Sequence, residues 1–238
     1  MTQSPEALLE SALKSVDWNA NVAAFCADNN ALLIVHQQNL KLAVWSKQFE
    51  ENDAANPAIC FIREMQVAGH LVVACTALAS YKSAAAAMRT IVETALYYSY
   101  FRTHVQELAT LARDEKWYVS KEEILEYHTQ HSEKFSDVQK KLSINANLQS
   151  WYRKISAIVH GQLPGVWLSQ TAICHMKHNP VLQQEVVSSY VECVRIVNCF
   201  LLCTAGRDQW SGFSTTAKQS LLHGLSGDAK DALGLDVA

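Results

Sequence analysis

The sequence predicts an all-α fold, a bundle of long helices, on three observations. Glycine and proline are scarce, 8 and 4 among 238 residues, too few for the tight turns that an all-β chain needs. Strand-like alternation is lacking throughout, whereas helix start and stop signals bracket long apolar stretches. Hydrophobic residues make up 49% of the chain and charged residues 18%, the balance of a packed core rather than a disordered chain.

Ser4-Pro5-Glu6 reads as a helix start: a capping serine, proline in the first turn, and an acid near the positive end of the helix dipole. That helix is expected to reach Val16, with a short one over Asp17–Ala27 and a longer one over Ala31–Glu50. Glu51–Pro57 is polar, ends in Asn56-Pro57 and reads as a linker. Ala58–Arg113 is helical with a break at Ser80–Ser83. The alanine run Ala84–Ala87 favours helix and permits close packing. Trp117–Val119 is a connection, and Ser120 with Glu123 fits a capping box that opens a helix to about Lys134.

A helix over Ile144–His160 ends at Gly161, the residue type that most easily turns left-handed after a helix. Leu163-Pro164-Gly165 is a turn, and a segment over Val166–His178 leads to Asn179-Pro180. A long apolar helix follows over Val181–Thr204, then two short helical patterns at Thr215–Leu222 and Asp228–Leu233. Residues 57–205 are expected to form the bundle core, residues 1–56 to pack on or extend it, and residues 206–238 to form a tail of short helices.

The formal net charge of −3 provides no global footprint for nucleic acid, so any such contact must be local. Seven cysteines without a C-x-x-C pair, most in apolar helical stretches, point to buried thiols in a reducing compartment, hence a cytoplasmic protein. Met1–Val16 lacks the apolar segment of a signal peptide. Leu71–Ala79, the most apolar stretch, falls short of the ~20 residues that span a bilayer, so no membrane partner is expected.

Trp151–Gly161 is the stretch best suited to chemistry. On a helix at ~100° per residue, Arg153 and His160 point within ~20° of each other, about two turns apart. Ser156 and Gln149 lie near the same stripe, while Leu148, Trp151, Tyr152, Ile155, Ile158 and Val159 cover the other side. Arginine holds a phosphate by charge-assisted bonds and stabilises charge that builds up during phosphoryl transfer. Histidine transfers protons near neutral pH. Such a pair can cleave RNA without a metal or other cofactor, through attack of the ribose 2′-OH on its own phosphate.

Arg153-x(6)-His160 at the end of an amphipathic helix resembles the Arg-x(4–6)-His motif of the HEPN superfamily. The helix Tyr152-Arg153-x-x-Ser156-x-x-Val159-His160-Gly161 is similar to that of HEPN-like phage-defence proteins. Arg89-x-x-x-Glu93, followed by Tyr100-Phe101-Arg102-x-His104, is similar to that group's arginine–glutamate helix. The resemblance spans about residues 84–167 and none is found in the first 57. It implies a HEPN-like bundle and a metal-independent endoribonuclease of a toxin–antitoxin or abortive-infection system. It also implies a homodimer whose shared cleft holds Arg153 and His160 of both chains, and an antitoxin or another defence-complex protein as partner. Ser156, Lys154, Arg89 and Glu93 would support the site. Lys154 departs from the Asn, Asp or His that active members often carry, and it cannot act as an acceptor that orients the histidine. The rival reading is therefore a non-catalytic helical module that binds a protein or nucleotide partner within a defence complex.

Other signals have simpler readings. Arg89 and Glu93, four apart, make a helix ion pair. His128 and His131, with Glu122 and Glu126 nearby, read as a solvated helix face rather than metal ligands. Cys174-His175-x-x-His178 lacks a fourth ligand. The aromatic group Tyr97, Tyr98, Tyr100 and Phe101 reads as core rather than as a base-stacking platform. No phosphate-binding loop, dinucleotide turn, zincin motif or nucleophile elbow occurs.

Overall fold

The computed structural model describes residues 4–168 and 171–236, and the described residues contain no strand. The helices are α1 (Pro5–Lys14), α2 (Trp18–Ala27), α3 (Asn29–Asn52), α4 (Ile59–Ala77) and α5 (Tyr81–Phe101). After them come α6 (Val105–Arg113), α7 (Lys121–His131), α8 (Phe135–Lys141) and α9 (Ile144–Val159). The chain ends with α10 (Pro180–Cys203), α11 (Ala205–Gln209), α12 (Thr215–Leu222) and α13 (Gly227–Leu233). In the segment expected over Val166–His178, only a single 3-10 turn forms, at Ile173–His175; residues 169 and 170 lie outside the described residues.

Most helix starts follow from local chemistry. Ser4 Oγ accepts from the amide of Ala7 at 3.4 Å, and Asp17 and Asp28 cap α2 and α3 from Ala20 and Ala31. Ser120 and Glu123 form the full capping box of α7, with Ser120 N donating to Glu123 Oε2 at 2.7 Å. Asn179 Oδ1 accepts from both Val181 and Leu182 at the start of α10.

The breaks match expectation in part. Residues 58–113 are interrupted twice: over residues 78–80, beside the break expected near Ser80–Ser83, and again after Phe101, where none was expected. Ala79 takes φ +60°, and the Ser80 amide reaches back to the Cys75 carbonyl at 2.7 Å, so α4 closes and α5 doubles back onto it. The helix expected to run to about Lys134 stops at His131, where Ser132 turns extended at ψ 129°, and Lys134 then takes φ +61°. Beyond it α8 forms, burying Phe135 and Val138.

α5 and α10 are the central helices. α5 packs against α4, α9, α7 and α10, and α10 packs against α3, α5 and α9. Ala84, Ala85 and Met88 are buried on α5, and the apolar core continues from Phe25 to Leu233 as one cluster. Both α4 and α10 are long and apolar enough to cross a membrane by length and composition. In α10 the most apolar stretch is 78% buried within the array, against 39% in α4, whose Val67 and Leu71 face outward. All seven cysteines are free, but only Cys193, Cys199 and Cys203, all on α10, are buried. Cys26, Cys60 and Cys174 are exposed, contrary to the expectation for the first two.

Some polar groups in the core are paired, whereas the buried Tyr190 hydroxyl has no hydrogen-bond partner among the described residues. Trp45 Nε1 donates to Asn198 Oδ1, and Asn198 Nδ2 donates to the Leu221 carbonyl, both at 3.0 Å, tying α3, α10 and α12 together. Gly206 lets α11 approach: a Cβ there would meet the Trp45 ring at 2.5 Å.

His128 corrects the reading of α7 as a solvated face, since it is only 3% exposed. Its ring lies among Tyr127, Phe135 and Phe200. Ser99 Oγ donates its proton to the Leu96 carbonyl at 2.7 Å, so His128 Nε2–H donates to Ser99 Oγ at 2.9 Å and Nδ1 accepts from Ser132. This neutral tautomer is fully satisfied. Burial, with a smaller contribution from His104, lowers the His128 pKa to about 3. The unfolded chain therefore takes up a proton below about pH 6.5 that the folded chain refuses until about pH 3. Stability from this residue is complete above the unfolded pKa and falls by about 1.4 kcal/mol per pH unit on acidification through that window. Denaturant titrations at pH 7 and pH 4.5 should show that His128→Gln, whatever its cost at pH 7, loses much less stability on acidification than the wild type.

Candidate functional site

α9 presents one face to the core and another outward. Trp151, Ile155 and Ile158 are buried, and Trp151 Nε1 donates to the carbonyl and hydroxyl of Ser189 on α10, each at 3.1 Å. This anchoring turns Arg153 and His160 to the surface. The helix closes as expected at Gly161, which takes φ +70° while the Gln162 amide returns to the Ala157 carbonyl at 2.8 Å. His160 therefore sits at the helix end.

Opposite this end lies α5, and four side chains from the two helices join. Arg89 Nε donates to Glu93 Oε1 at 2.8 Å, and the Tyr152 hydroxyl donates to the same oxygen at 2.5 Å. Arg89 Nη1 lies 2.7 Å from His160 Nε2. The guanidinium also stands over the Tyr152 ring, 5.2 Å from its centroid, and Lys121 Nζ lies 5.3 Å from that centroid. Lys121 is in turn paired with Glu122.

Between α5, α7 and α9 lies a groove of about 580 Å³, with His160 beside it rather than in its lining. Arg89, Glu93, Lys121, Tyr152 and Arg153 form its polar wall, with Tyr97 and the strongly exposed Tyr118 beside them. Arg153 is exposed and makes no ion pair or hydrogen bond among the described residues. Burial, together with the Glu93 carboxylate, pushes the Tyr152 phenol up to about 12, so it stays a donor. Partial burial works against the Arg89 charge, but Glu93 outweighs it and the guanidinium pKa is raised.

Of the residues singled out from sequence, Arg89, Glu93 and His160 are in direct contact and Arg153 lines the same groove. Lys154 lines a different hollow, with Trp151, Glu185 and Glu192. Ser156 Oγ is buried and has no hydrogen-bond partner among the described residues. Of the aromatic group, only Tyr97 reaches the groove. Phe101 is buried against Phe61, Tyr98 donates to Asp53 at 2.8 Å, and Tyr100 donates to Glu107 at 2.6 Å. His178 bonds Gln183, and no three His, Cys, Asp or Glu side chains cluster as metal ligands among the described residues.

Sequence reasoning missed Tyr152, Lys121 and Tyr118. Tyr152 was assigned to the packed side, yet it straddles the boundary, with its ring against α5 and its hydroxyl on Glu93. Its position beside Arg153, at the edge of the apolar stripe, was the available signal. The chain matches no protein-family model, no curated protein by sequence and no solved structure.

Arginine has no acceptor, so the 2.7 Å contact requires His160 Nε2 to carry its lone pair and Nδ1 the proton. Long-range proton–nitrogen spectra of the neutral imidazole should show the Nδ1–H tautomer at His160. Arg89→Ala should release it to a mixture of tautomers. A wild-type proton on Nε2 would mean that the contact does not persist in solution.

Proposed function

We propose that the chain is a HEPN-like, metal-independent endoribonuclease of a defence or toxin–antitoxin system, acting as a homodimer in the cytoplasm. The observation that supports this reading best is the 2.7 Å contact between His160 and Arg89 beside a groove that also carries the unpaired Arg153. Arg153 takes the scissile phosphate, and Arg89 turns part of its guanidinium to the same anion. This turn frees His160 Nε2, which accepts the ribose 2′-OH proton. The 2′-oxygen attacks phosphorus as the bond to the 5′-oxygen breaks, and the leaving oxygen takes a proton from the imidazolium. The products are a cyclic phosphate and a 5′-OH end. Glu93 and Tyr152 position Arg89.

Two observations favour the non-catalytic alternative, a module that binds a protein or nucleotide in a defence complex. No carboxylate contacts His160 among the described residues, and Lys154, next to Arg153, faces another hollow.

Induced expression separates the two. On the catalytic reading the wild type arrests growth and leaves RNA fragments with 5′-OH ends. His160→Ala and Arg153→Ala should each lower cleavage by about 10²-fold or more. Both residues are exposed, so thermal unfolding should stay near the wild-type midpoint. Cleavage at wild-type rates by either variant would refute the assignment, and a harmless wild type with intact RNA would favour the binding module.

A further inference from the structure

Lys41 on α3 faces a second hollow, of about 640 Å³, between α3, α10 and α12. Lys41 is half-buried as a residue; its ammonium donates to the His223 carbonyl in an exposed contact at 3.1 Å and pairs with no carboxylate among the described residues. An ammonium has three donors, so two remain. Burial pulls the Lys41 pKa below the usual ammonium value, with the Cys199 thiol acting weakly in the other direction. A half-buried cation without an anion is unfavourable, and a bound anion would relieve the cost.

Arg195, from α10, lines the same hollow. Glu192 grips two of its N–H groups at 2.6 and 2.7 Å, leaving three of its five donors for another acceptor. Gln37, Thr216 and Gln219 are exposed at the hollow, Leu40, Val191 and Leu225 add apolar surface, and no Asp or Glu lines it. Its walls are fixed, because the Trp45–Asn198–Leu221 hydrogen bonds tie the three helices together beside it. A preformed hollow that brings two cations together with amides and a hydroxyl suits a compact anionic ligand with a polar body.

We propose that this hollow binds a small phosphate monoester, with Lys41 and Arg195 on the phosphate and Gln37, Thr216 and Gln219 on the polar body. The site is separate from the Arg89–Arg153 groove and does not depend on the reading of that groove.

The test is a calorimetric and NMR titration of the full chain with three probes: adenosine monophosphate, ribose 5-phosphate and inorganic phosphate. At least one of the two esters should bind saturably, perturbing the amides of Gln37, Lys41 and Gln219. Lys41→Met keeps the side-chain length and breaks no ion pair, and Gln219→Glu adds a repelling charge at an exposed position, so both variants should fold. Each should weaken binding by about tenfold or more, while Arg153→Ala should leave it within about twofold. If both esters bind, the tighter one identifies the polar body. Undiminished affinity in Lys41→Met, perturbation confined to the Arg89–Arg153 groove, or no saturation by either ester at about 10 mM would overturn the proposal. Inorganic phosphate binding as tightly as the esters would overturn the role of Gln37, Thr216 and Gln219.

Discussion

A single carboxylate oxygen sets the geometry along the seam of α5 and α9. Glu93 Oε1 accepts from both Arg89 and Tyr152, and through Arg89 it reaches His160 at the end of the neighbouring helix. The seam is partly open to water, so the ion pair adds about 1 kcal/mol or less to stability. Its consequence is position. With two donors on one oxygen, the guanidinium plane is held over the Tyr152 ring and one edge is aimed at the imidazole. The arrangement also requires α9 to stop where it does. Gly161 turns left-handed directly after His160, so the histidine falls at the helix end opposite Arg89.

What the sequence revealed of the fold was its local chemistry. Ser4, Ser120 with Glu123, Asn179 with Pro180, and Gly161 each act through neighbours within a few residues, and each lies at a helix end. The turns at Lys134 and Ser143 were not legible, and near Ser80 the break was legible but not the left-handed Ala79 that makes it, because left-handed backbone is ordinarily marked by glycine and none of these is glycine. Those conformations are imposed by packing: α5 must return onto α4, and α8 must bury Phe135 and Val138. His128 was obscured in a similar way. The charged residues of α7 dominate its pattern, although His128 follows Ile124 at the spacing of one turn and joins it in the core.

The candidate site divides along the same line. Arg89 with Glu93, and Arg153 with His160, were visible as pairs because their spacings lie within single helices. Their meeting was not visible from periodicity, since it depends on α5 packing beside α9. The Tyr152 ring packs against the core as the pattern implies, but the role of its hydroxyl was hidden because a tyrosine counts as apolar in a helical pattern although its hydroxyl needs a partner when half-buried. Cys26 and Cys60 show the opposite error. Apolar neighbours in sequence suggested burial, but those residues face outward on α2 and α4.

Charge decides how the groove would select an anion. Three cations, Arg89, Lys121 and Arg153, share it with two carboxylates, Glu93 and Glu122, that already pair with the first two. Long-range attraction is therefore weak, consistent with a chain of net charge −3. A phosphate that reaches only Arg89 or Lys121 exchanges one ion pair for another. A phosphate that reaches Arg153 makes a new charge-assisted bond with nothing displaced. On the proposed reading, Arg153 therefore sets affinity and Arg89 sets the chemistry, because drawing the Arg89 guanidinium toward the phosphate is the step that exposes the His160 lone pair. Binding and activation of the base are then a single event, and a ligand without a phosphate within reach of both arginines leaves the imidazole capped.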